Sequence, residues 1–118
     1  HLAFRAAINP EVKATACFYA TDLHTNTIPN KPNQHSMEKL SDIKGELLMI
    51  WGKQDTHIPT EARVQIHKKL LETNITFSWH EFNGQHAFMR DEGERYDPEL
   101  ATICYQLCFR MFARTLNN

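Results

Sequence analysis

An aspartate and a histidine stand in two loops of similar design. His86 lies in Phe82-Asn83-Gly84-Gln85-His86-Ala87-Phe88, two residues past a glycine at the end of an alternating apolar stretch. In such a loop an imidazole can project from a rigid sheet into a cleft and act as a base near neutral pH. Asp55 closes Leu47-Leu48-Met49-Ile50-Trp51-Gly52-Lys53-Gln54-Asp55, where an apolar run gives way to a glycine and then a carboxylate. A carboxylate that accepts a hydrogen bond from one imidazole nitrogen fixes the tautomer and leaves the other nitrogen to take a proton from a nucleophile. Loops at the carboxyl ends of parallel strands form the ligand cleft of an α/β sheet, so two such loops would bring Asp55 and His86 together. These two residues are the catalytic candidates.

The elements that must position them are legible as periods. Residues 46–51 are apolar without interruption from Leu47, which implies burial on both faces and hence a parallel sheet. Residues 75–82 alternate Ile75, Phe77 and Trp79 with Thr76, Ser78 and His80, the pattern of a half-buried strand near a sheet edge, with Phe77 and Trp79 as sheet core. Between them Ile58-Pro59-Thr60 opens a helix to about Thr73, carrying Ala62, Ile66 and Leu70 on one face. Upstream, residues 1–9 read as a short helix with Leu2, Ala3, Ala6 and Ala7 on one side, and residues 13–20 as a buried strand. Residues 21–33 form a long irregular loop, and residues 36–43 a short helix ended by Lys44-Gly45. The last helix starts at Asp97-Pro98, a capping residue followed by proline, and repeats Leu100, Ile103, Cys104, Leu107, Cys108, Met111 and Phe112 at helical spacing. The alternation predicts an α/β fold of about three mostly parallel strands flanked by helices, in a single domain.

Composition narrows the function classes. With 118 residues, 42% hydrophobic and 23% charged, the chain can bury an ordinary core. A formal net charge of -1 from 13 basic and 14 acidic side chains offers no footprint for nucleic acid or an anionic membrane, and the longest apolar run is too short to span a bilayer. The cytoplasm is the expected compartment. Cys17, Cys104 and Cys108 fit neither a disulfide framework nor a zinc site and are expected as reduced thiols: Cys17 inert inside its strand, the other two packed in the core. Asp55, His57, His67 and His86 can be drawn as metal donors, but their spacing follows no ligand rule, and neither a metal nor a cofactor is expected.

Three segments carry a family resemblance: Gly52-x-x-Asp55-x-x-Ile58-Pro59, Gly84-x-His86-Ala87-Phe88, and Arg90-Asp91-Glu92-Gly93-x-Arg95-Tyr96-Asp97-Pro98. Together they resemble the C-terminal half of the dienelactone hydrolase (carboxymethylenebutenolidase) family of α/β-hydrolases, from residue 1 to about residue 114. The resemblance implies Asp55 as triad acid, His86 as triad base and Arg90 as a residue that helps hold a substrate carboxylate. Arg90 could equally pair with Asp91, Glu92 or Asp97 to hold the loop. Arg95 and Tyr96 are assigned to shaping the approach to the last helix. The opening His1-Leu2-Ala3-Phe4-Arg5-Ala6-Ala7 resembles the helix after that family's nucleophile elbow, usually a cysteine in GxCxGGH, which would place the nucleophile about four residues before His1. The implied activity is hydrolysis of a small-molecule ester or lactone, with no cofactor. A second reading takes the chain as catalytically silent, a folded subunit or binding module that completes its sheet with the missing N-terminal half or by self-association, because half a parallel sheet exposes a strand edge.

Overall fold

The computed structural model describes residues 1–25 and 35–117. Its centre is β2 (Glu46–Gly52), whose six residues from Leu47 onward are all buried, as an uninterrupted apolar run requires. β1 (Ala14–Phe18) and β3 (Phe77–Phe82) pair with it in parallel on either side, in the order β1-β2-β3. Cys17 is level with Met49, and Met49 with Trp79. Alternation along β2 divides the core. Leu47, Met49 and Trp51 face one layer with Phe4, Ile58, Ile66 and Leu70, while Leu48 and Ile50 face the other with Phe88, Cys104, Cys108 and Met111.

The first layer holds α1 (Leu2–Ala7), a 3-10 segment (Ser36–Asp42) and α2 (Thr60–Leu71), and the second holds α3 (Pro98–Leu116). α2 buries Ala62, Ile66 and Leu70 on one stripe, as its period predicts. Asp97 caps α3, its Oδ1 accepting from the Leu100 N–H at 3.0 Å ahead of Pro98. The α/β architecture expected from the sequence, three parallel strands flanked by helices, is the one observed.

Several details differ from the sequence reading, each for a local reason. α1 turns Phe4 and Ala7 inward and leaves Leu2 86% exposed, so the large ring rather than the small-residue stripe sets its buried face. β1 stops at Phe18 because Tyr19 takes φ 37°, outside the extended region. α2 begins at Thr60, with Pro59 extended at the capping position rather than inside the first turn. The short helix expected after residue 35 is present as a 3-10 segment, interrupted by Lys39 at φ -107° and ψ 17°. β3 starts at Phe77, two residues late, and Ile103 on α3 lies outside the buried stripe. Of the long loop, residues 21–25 form turns, and 26–33 lie outside the described residues.

Candidate functional site

The two candidate loops leave adjacent strands level with each other, since Gly52 and Phe82 are register partners. They are then fastened together. The Lys53 N–H donates to the Phe82 carbonyl at 2.7 Å, the Gln54 N–H to the Gly84 carbonyl at 3.0 Å, and the Gln54 amide to Asn83 Oδ1 at 3.1 Å. The close approach depends on Gly52. A Cβ there would collide with the Gly84 carbonyl oxygen and lie 2.9 Å from its carbon, both backbone atoms that cannot yield.

Asp55 sits in the turn after β2, its N–H donating to the Gly52 carbonyl at 3.2 Å. Its side chain is 1% exposed and both oxygens are in use: Oδ1 accepts from the His57 backbone N–H at 2.8 Å, and Oδ2 lies 2.7 Å from His86 Nδ1. Because a carboxylate only accepts, Nδ1 is the donor, and the lone pair of His86 resides on Nε2. The His86 side chain is 21% exposed, so one edge remains open to a reactant.

Three rings and one backbone turn fix the imidazole. His57 lies against His86 with centroids 4.3 Å apart and planes at 34°, while Tyr19 approaches it at 5.2 Å and 59°. Tyr19 in turn meets Phe88 edge-on at 5.6 Å and 75°. Burial pushes the Tyr19 phenol up, against the opposing effect of its hydrogen bond with the Met89 backbone. Directly after the histidine, Ala87 has φ 60°, a left-handed conformation that costs a non-glycine residue roughly 1–2 kcal/mol. No glycine has positive φ, and the strain in this loop falls on Ala87. It is held by the Arg90 N–H on the Ala87 carbonyl at 3.0 Å and by the Asp97 N–H on the Phe88 carbonyl at 2.8 Å.

Arg63 ties the acid's loop to the neighbouring strand. Buried on α2, it donates Nη1 to the Ile58 carbonyl at 2.8 Å and Nε to Glu81 Oε1 on β3 at 2.8 Å, with Nη2 3.4 Å from Thr60 Oγ1.

Arg90, four residues past His86, is exposed beside a cavity of about 420 Å³ lined also by Gln85, Ala87, Gly93, Glu94 and Arg95. It makes no ion pair with Asp91, Glu92 or Asp97 among the described residues. Arg95 shares this cavity, whereas Tyr96 lies 40% exposed just ahead of α3. The three cysteines are free and buried. Burial pushes the Cys17 and Cys104 thiols up to about 12 and Cys108 in the same direction, so all three are protonated at neutral pH.

As potential metal donors, Asp55, His57 and His86 offer one ligand atom each within 4.8 Å of one another. His67 is not among them; its ring stacks on Trp79 at 4.5 Å. Tyr19 and Arg63 are the site residues that the sequence did not single out, and His57 was named there only as a metal donor that could be drawn with Asp55 and His86.

The family model described as "Dienelactone hydrolase family" matches residues 1–116. A Saccharomyces cerevisiae protein named "Putative carboxymethylenebutenolidase" is 36% identical over 122 residues, which take in 98% of this chain and 45% of the yeast protein. A Synechocystis protein of the same name is 28% identical over 117 residues, 98% of this chain and 46% of that one. The chain therefore spans about half the length of the curated relatives it matches. A Klebsiella pneumoniae crystal structure described as "Putative Dienelactone Hydrolase" superposes with a TM-score of 0.86 at 25% identity, over 95% of this chain and 47% of that one. No helix among the described residues is long and apolar enough to cross a membrane.

Proposed function

The chain belongs to the dienelactone hydrolase family, and on that footing we propose that Asp55 and His86 are the acid and base of a nucleophilic hydrolase acting on an ester or lactone. The observation that carries the reading is the 2.7 Å contact between a buried carboxylate and the Nδ1 of a partly exposed histidine. With Nδ1–H committed to Asp55, Nε2 takes the proton of a cysteine, or of a serine in its place, as that nucleophile attacks the substrate carbonyl. His86 then delivers the proton to the departing alkoxide. Water attacks the acyl-enzyme with His86 again as base, releasing the acid and restoring the nucleophile. Arg90, at the rim of the adjacent cavity, is suited to hold a substrate carboxylate.

The nucleophile and the amides that would stabilise the oxyanion are assigned to a segment outside these 118 residues, which we take as one portion of a larger domain. Supporting this are relatives about twice as long, and thiols held protonated within the core. Free cysteines also suit a reducing compartment such as the cytoplasm.

The test is hydrolysis of p-nitrophenyl acetate by the 118-residue chain beside a His86→Ala control, then by a chain joined to the upstream half of a relative. We expect equal rates in the first comparison. The joined chain should hydrolyse esters or lactones and lose roughly 10²–10⁴-fold on His86→Ala, the usual share of a general base. A joined, folded chain inert toward varied esters and lactones refutes the reading.

A second reading, a silent subunit that associates, is favoured by Tyr105, Phe109 and Leu116, which α3 leaves 51%, 66% and 55% exposed. Sedimentation of the isolated chain separates the two: a compact monomer at every concentration argues against association.

A further inference from the structure

We propose that Asp55, His57 and His86 form a binding site for a divalent transition-metal ion, zinc above all, which takes the place of the proton between Asp55 and His86. Two imidazoles and a carboxylate are a borderline donor set that suits zinc, which commonly keeps three protein ligands and one water. The geometry is near what the ion needs. At zinc–nitrogen and zinc–oxygen bonds of about 2.0–2.1 Å, tetrahedral ligands lie roughly 3.3–3.4 Å apart. His86 Nδ1 lies 2.7 Å from Asp55 Oδ2 and His57 Nδ1 3.5 Å from the other carboxylate oxygen, Oδ1, and one donor atom from each of the three residues lies within 4.8 Å of the others. The contact that must open is the shorter one, between His86 and Asp55, whereas His57, 54% exposed, already lies near the metal spacing.

His57 is held near the acid by its own backbone, since its N–H donates to Asp55 Oδ1 at 2.8 Å. The nearby histidines of β3 and α2 are engaged elsewhere: His80 stacks on Phe82 at 6.0 Å, and His67 on Trp79. The site is therefore specific to the loop after β2 and the histidine facing it.

Occupancy has a chemical consequence. A neutral imidazole carries one proton and one lone pair. When Nδ1 of His86 gives its lone pair to the metal, the ring proton moves to Nε2 through solvent, with no net release. Nε2 then has no lone pair to accept a proton. A bound metal would thus switch off the base without blocking the cleft. This consequence rests on the role proposed for His86, whereas the binding does not.

The experiment is a titration of the 118-residue chain with cobalt(II), followed through its visible absorption, with zinc(II) in competition and imidazole ¹H–¹⁵N spectra of the zinc-loaded chain. We expect one ion per chain, affinity reduced at least tenfold by His57→Phe and by Asp55→Asn, no change with His67→Phe, and the His86 proton on Nε2. His57 is exposed, so its replacement leaves the fold intact even where Asp55→Asn does not. Unchanged affinity in His57→Phe, or a His86 proton that stays on Nδ1, overturns the proposal. A longer chain with hydrolytic activity separates the two readings. Zinc that binds through His57 without slowing hydrolysis keeps the metal site and removes His86 as base, and hydrolysis in a protein that takes up no zinc there does the reverse.

Discussion

Replacing Arg63 by methionine, which keeps most of the aliphatic bulk, should cost the fold about 1–4 kcal/mol. The figure has two parts. The Ile58 carbonyl, in a buried contact, loses its charged donor at 2.8 Å, and a buried acceptor left without a partner costs roughly 1–3 kcal/mol. Glu81 loses its cation too, but its side chain is 34% exposed, so solvent screens the pair to about 0–1 kcal/mol. Most of the loss thus falls at the carbonyl three residues after Asp55, and the remainder at the ion pair. Urea unfolding followed by the fluorescence of Trp51 and Trp79 measures the sum; at a slope of about 1.5 kcal/mol/M the midpoint should fall by about 0.7–2.7 M. Glu81→Gln alone should cost under about 1 kcal/mol, and adding it to Arg63→Met should recover little. If the double variant returns to wild-type stability, the stranded charge of Glu81 was the whole penalty. The claim that Arg63 holds the acid's loop through Ile58 then fails.

Three further outcomes follow from the close packing around the same loops and within the core. Gly52→Ala should cost about 1–3 kcal/mol, because neither backbone atom that the new Cβ meets can yield, and the two loops must separate. The downfield proton resonance of a His86–Asp55 hydrogen bond should disappear with it, and persistence of that resonance at wild-type stability contradicts the packing argument. The buried thiols should resist an aromatic disulfide reagent at pH 8 in the folded chain and react, three per chain, in urea. Their pKa values also set a pH dependence. Cys17 and Cys104 keep their protons up to about 12 when folded, against an ordinary value of 9.0, so the unfolded chain binds fewer protons above that value. Their stabilising share is therefore full below about pH 9 and declines as pH climbs toward 12, by at most about 1.4 kcal/mol per pH unit per thiol. Midpoints measured at pH 7, 9 and 10 should show the decline, and Cys17→Ala should make it shallower; an unchanged slope counts against burial as its cause.

What the sequence disclosed and what it did not divide along the range of the interactions involved. β2 was legible because an uninterrupted apolar run has one stable setting, the middle of a parallel sheet, and all of it from Leu47 onward is buried. The α3 start was legible because capping is local, three residues from Asp97 to Leu100. Element ends were harder to read, since they depend on single dihedrals. Tyr19 and Ala87 both take positive φ without being glycine, and nothing in their identity announces it.

The candidate site shows the same division at larger scale. Asp55 and His86 could be paired from their positions after two strands because strand order and parallel pairing fix where loops emerge, and the structure brings them to 2.7 Å. Their supports come from elsewhere in the chain: Tyr19 from the end of β1, Arg63 from α2 and Phe88 from beyond the histidine. An arginine on a helix reads as surface charge, and only three-dimensional packing turns Arg63 inward to a carbonyl. His57 could be drawn from the sequence only as one of several metal donors, and its ring 4.3 Å from His86 is seen only in the structure. Sequence spacing can therefore nominate a pair of groups that meet across a sheet, whereas the side chains that hold the pair depend on rotamers and packing that spacing does not encode. For this chain the supporting residues, His57 and Arg63 above all, are where substitution separates a proton-transfer site from two residues that merely meet between neighbouring loops.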